Sequence, residues 1–166
     1  PSARSEALLG AIKTIKGEQT RDGSPLKGRL DLDRMAIAGW SWGGGGMLIA
    51  LNTHPEFKAA IALCPWASGA TFPNIKTPVL FLAAANDTIA AGQSQPFYDS
   101  IPDSTPKMLW ERSDAGHFDN DPSYEMGAVG RYGLSWLKVH LVGDQRYKQF
   151  LLTKAPNASD WKTNLK

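Results

Sequence analysis

The chain has a single cysteine, Cys64, which excludes any disulfide within it. That count neither supports nor opposes an oxidising compartment. Cys64 lies in the apolar run AAIALCPW, and nothing nearby in the sequence supplies a base or a cationic setting for a thiol. It reads as a small buried hydrophobe. Long apolar runs are also lacking: none approaches the roughly 18 residues of a membrane span. Neither sign of charge dominates. With a net charge of +2, nothing favours nucleic acid or an anionic membrane as a partner. Repeats, low-complexity tracts and dividing linkers are missing as well, so the 166 residues are expected to form one domain.

Glycine, by contrast, is concentrated. Gly43, Gly44, Gly45 and Gly46 follow Gly39-Trp40-Ser41-Trp42 without a break. Each glycine inside a helix costs about 1 kcal/mol relative to alanine, so a close backbone approach is expected to offset them. Two phosphate-binding readings fail. A P-loop needs Lys-Ser or Lys-Thr after its glycines, and none follows. A G-x-G-x-x-G fingerprint needs a third glycine where Leu48 or Ile49 stands. The stretch does match G-x-S-x-G, in which a serine sits on a strained strand-to-helix turn. A plain glycine turn is the bland alternative.

Apolar spacing predicts a helix over 5–15, then a turn-rich loop, GEQTRDGSPLKG. A short strand is expected at 34–38 and a helix after the glycines at 47–52. The apolar runs 58–63 and 79–84 suit strands buried on both faces of a parallel sheet. A short helix is expected at 93–100, a strand at 107–111 and a long amphipathic helix at 124–141. Residues 146–152 suit either an edge strand or a short helix, and the tail reads as irregular. Strands alternating with helices predict an α/β fold with a mainly parallel sheet of four or five strands. In such sheets, ligands gather at the carboxyl ends of the strands.

Three candidate groups stand at those ends. Ser41 follows the first strand, Asp87 follows VLFLAAA, and His117 follows KMLWE. The bland readings are an Asx turn for Asp87 and an ordinary loop histidine for His117. His54 reads as a helix cap and His140 as part of the last helix. Asp99, Asp103, Asp114, Asp119 and Asp121 read as solvated loop acids. The order Ser…Asp…His, each member after a different strand, matches the α/β-hydrolase arrangement. Trp40 and Trp66 suit either a core or an apolar cleft for an ester.

Over residues 1–154 the chain resembles the bacterial cutinase and polyester hydrolase branch of α/β hydrolases, including poly(ethylene terephthalate) (PET) hydrolases. GSPLKGRLDLDRMAIAGWSWGGGG, CPW, NDTIA, GHF and RYGLSWLKVHLVGDQRYKQFL carry the likeness. The resemblance implies an α/β-hydrolase fold and catalytic Ser41, Asp87 and His117. It implies an oxyanion donor at the Trp42 N–H and a substrate cleft formed by Trp40, Trp66 and Ile89. It also implies ester hydrolysis without metal or organic cofactor, a polyester or acyl-ester substrate, and secretion to the periplasm or beyond.

Several positions depart from the pattern. Trp42 stands where the family commonly has Met. The C-terminal cysteines are absent, and Ala84 and Asp119 occupy the places of another disulfide found in some members. Family members have several strands before the position of Pro1, and these carry the second oxyanion donor. The chain is therefore expected to be the C-terminal part of a larger hydrolase, with the N-terminal half of the same fold as a possible partner. A lipase or dienelactone-hydrolase-like esterase for small esters is one rival reading; a non-catalytic fragment is another.

Overall fold

The computed structural model describes residues 1–120 and 127–166. Among these the sheet has five strands in the order β1-β2-β3-β4-β5. They are β1 (Ala36–Trp40), β2 (Ala59–Leu63), β3 (Val79–Ala84), β4 (Lys107–Arg112) and β5 (Ala158–Thr163). The first four are parallel, and β5 pairs antiparallel with β4. The expected α/β architecture with a mainly parallel sheet holds.

β2 and β3 are buried along their whole length, as their apolar sequences require. Alternate residues serve opposite faces. Ala60, Ala62, Val79, Phe81 and Leu109 join one core with Met47, Leu48 and Leu51. Ile61, Leu63, Leu80, Leu82, Met108 and Trp110 join the other with Tyr132, Trp136 and Leu151. The first core is roofed by α1 (Ser2–Glu18), α2 (Trp42–Leu51) and α3 (Ser94–Ser100). The second lies under α4 (Gly127–Leu137) and α5 (Lys148–Leu152). Fully burying one Leu such as Leu80 contributes roughly 1.5–3 kcal/mol.

The structure corrects several expected boundaries. The four glycines lie inside α2 rather than before it. α2 is apolar all round and buried on most sides, so tight packing, rather than propensity, holds it helical. β1 begins two residues later than expected and runs through Gly39 and Trp40, where Ala38 and Gly39 pair with Ile61 and Ala62. α1 extends past residue 15 to Glu18.

The helix expected over 124–141 is regular from Gly127 to Leu137 and then widens into a π turn, Lys138–Val142. Residues 124–126 of that expectation, and Asp121, lie outside the described residues. Residues 146–152 are helical, with a 3-10 turn (Gln145–Tyr147) leading into α5. The tail is not irregular: β5 sets Trp161 opposite Trp110. Asp99 belongs to α3 rather than to a loop.

Candidate active site

Ser41 joins β1 to α2 with φ 53° and ψ −123°, a conformation L-residues rarely adopt. Its amide donates to the Leu63 carbonyl, and its own carbonyl accepts from Gly45 and Trp66. The turn is tight enough that a Cβ on Gly39 would sit 2.4 Å from the Gly43 carbonyl oxygen. A Cβ on Gly45 would sit 1.9 Å from the Trp66 carbonyl oxygen. Gly43 differs, since a Cβ there would meet open space. Of the two glycines that flank the serine in the motif, only Gly39 is held by such a close approach.

His117 starts a 3-10 turn, His117–Asn120, after β4. Its Nε2 lies 3.0 Å from Ser41 Oγ, and its Nδ1 lies 2.7 Å from Asp87 Oδ2. Asp87 follows β3, and its Oδ1 accepts from the Ile89 and Ala90 amides at 2.7 Å each. Burial alone would push the Asp87 carboxyl up. The hydrogen bond from His117, with those from the Ala90 and Ile89 amides, outweighs it and holds the carboxyl below the ordinary value. An ionised Asp87 takes the proton of Nδ1 as its partner. Nε2 is then left as an acceptor facing the serine hydroxyl.

The structure thus brings Ser41, Asp87 and His117 together from three strand ends. Trp42 opens α2, so its N–H belongs to a helix first turn, whose donors have no intrahelical acceptor. A cavity of about 480 Å³ lies beside Ser41, lined by Arg4, Trp40, Trp42 and Gly43. The Trp42 ring is 52% exposed and stacks on Trp66, with centroids 5.4 Å apart. Ile89 is exposed, but it does not line that cavity.

Trp40 does more than wall the cavity. Its indole N–H donates to the His117 carbonyl at 3.1 Å, and its ring packs on those of His117 and Phe118. Sequence reasoning missed Phe118, which is 53% exposed and set edge-on to His117. Its adjacency in Gly116-His117-Phe118 was the available signal. Of the other histidines, His54 pairs with the Thr53 hydroxyl, and His140, in the π turn, packs with its ring tilted against that of Trp136. Neither joins the site.

A family model described as PET hydrolase-like matches residues 1–165. The chain belongs to the PET hydrolase-like family. It is similar to a bis(hydroxyethyl) terephthalate hydrolase from Streptomyces coelicolor, 38% identical over 91% of this chain and 47% of the relative. It is also similar to cutinase est1 from Thermobifida alba, 39% identical over 91% of this chain and 50% of the relative. A cutinase from Thermobifida fusca is 37% identical over 91% of this chain and 49% of the relative. The chain spans about half the length of the curated relatives it matches.

Proposed function

We propose that this chain carries the nucleophile, base and acid of a serine carboxylic ester hydrolase acting on polyesters or acyl esters such as PET. The supporting observation is the continuous relay from Ser41 Oγ through both His117 nitrogens to Asp87, at 3.0 and 2.7 Å. In this reading Ser41 attacks the ester carbonyl, and His117 Nε2 takes its proton and returns it to the leaving alcohol. Asp87 holds the tautomer and stabilises the imidazolium. Water, activated by His117, then releases the acid. The Trp42 N–H donates to the oxyanion; losing one such donor typically costs on the order of 10²–10³ in rate.

Trp40, Trp42 and Trp66 supply aromatic area around Ser41 for an aromatic diacid or an acyl chain, with Phe118 and Ile89 at its margin. The names of the cutinase and terephthalate-ester relatives agree with that substrate class. The outer edge of β1 suits pairing with further parallel strands from the upstream half of the fold. A polymer too large to enter a cell is met outside it, so secretion fits this substrate. No helix among the described residues is long and apolar enough to cross a membrane.

The test compares terephthalate release from PET film with hydrolysis of short p-nitrophenyl esters. Both activities, each lost in Ser41→Ala, are expected. Activity on the short esters alone moves the assignment to a small-ester hydrolase, and activity on neither overturns it.

A further inference from the structure

Cys64 takes no part in the ester chemistry, yet it stands against it. It follows β2 with φ 39°, and its side chain is buried with Ala84, Ala115 and Trp40. Its sulfur, one carboxylate oxygen of Asp87 and one ring nitrogen of His117 all lie within 4.8 Å of one another, and all three residues are buried. A small cavity of about 30 Å³ adjoins two of them, Cys64 and Asp87, with Ser94 and Glu111 among its other lining residues. That is room for about one water molecule.

Thiolate, imidazole and carboxylate are the donors a tetrahedral Zn²⁺ takes, with bonds of about 2.0–2.3 Å. Ligand atoms around such an ion stand roughly 3.3–3.8 Å apart. The cluster reaches that spacing once the 2.7 Å His117–Asp87 pair opens and the separations that run up to 4.8 Å close to about 3.8 Å. A hard cation such as Mg²⁺ prefers six oxygens and does not match a thiol-bearing set.

We propose that Cys64, Asp87 and His117 form a site for a thiophilic divalent cation such as Zn²⁺, completed by water in the adjoining cavity, whose occupation switches the ester site off. The binding half stands alone; the inhibitory half rests on the hydrolase reading. The cation replaces the proton between His117 Nδ1 and Asp87. The ring then carries its proton on Nε2, which faces Ser41 Oγ and can no longer accept from it. The thiol proton goes to solvent.

Co²⁺ is the probe. Cys64 is the sole cysteine, so a thiolate-to-cobalt charge-transfer band reports this residue and no other. The expected result is a saturable band at one Co²⁺ per chain that Zn²⁺ displaces. It should persist in Ser41→Ala, disappear in Cys64→Ser and Cys64→Ala, and need at least about tenfold more metal in His117→Gln. The Zn²⁺ concentration that halves p-nitrophenyl ester hydrolysis should rise at least about tenfold in Cys64→Ser. Absence of the band, or an unchanged affinity in His117→Gln, overturns the site. A saturated site with undiminished hydrolysis overturns the inhibition. A chain that shows the band but hydrolyses nothing without metal counts against the hydrolase reading and leaves the binding site standing.

Discussion

The indole of Trp40 donates to the carbonyl of His117 across 77 residues of chain, at 3.1 Å. Trp40, just before Ser41, therefore carries the loop that presents His117. Strand end and histidine loop are fixed to each other as well as to Ser41.

Trp40→Phe keeps an aromatic ring against His117 and Phe118, with less area, and removes that hydrogen bond. A neutral hydrogen bond contributes about 1 kcal/mol net, so kcat on a soluble ester should fall about fivefold with little change in KM. A fall confined to KM would mean that Trp40 acts only as a cleft wall.

The glycines separate by position. Gly45→Ala places a methyl 1.9 Å from a backbone oxygen and should cost at least about 3 kcal/mol. Gly43→Ala meets nothing within 4 Å and should stabilise α2 by up to about 1 kcal/mol. Urea denaturation of both variants checks this, and equal losses would contradict the packing described.

Much of this was legible in the sequence, for physical reasons. β2 and β3 are apolar because both faces are covered, and the candidate residues stand at strand ends because a parallel sheet brings its carboxyl ends to one edge. The helical glycines were not legible, since their low propensity signals a break and their gain comes from Trp66 and Arg4, distant in sequence. β5 was hidden because an outer strand facing water keeps polar residues, leaving Trp161 as its only apolar anchor of size. The Trp40–His117 bond pairs a side chain with a backbone group, and no residue pattern encodes it.

Asp87→Asn should keep the fold and lower kcat by about 10⁴, since a neutral amide does not hold the tautomer. The folded carboxyl lies below its ordinary value of 3.8. Its stabilisation is therefore complete above 3.8 and lost as pH falls through the lower folded value. The acid unfolding of Asp87→Asn below that point should be correspondingly shallower. Identical acid limbs would contradict the paired carboxylate.

His140 is held down to about 4, by burial first and by Lys148 second. Its Nε2 is buried and, among the described residues, has no hydrogen-bond partner. The unfolded chain takes up this proton nearer 6.5, so stability falls as pH drops from 6.5 toward 4 and this contribution levels off below. Across that window the Tm of His140→Phe should depend less on pH than that of the parent. Parallel curves would place the histidine in solvent.

The most direct test of the central claim is labelling with an organophosphonate, read by intact mass and peptide mapping. One adduct per folded chain, on Ser41, is predicted, absent in Ser41→Ala and strongly slowed in His117→Gln. A folded chain that stays unlabelled, or that is labelled at another residue, would contradict a serine activated through His117 and Asp87.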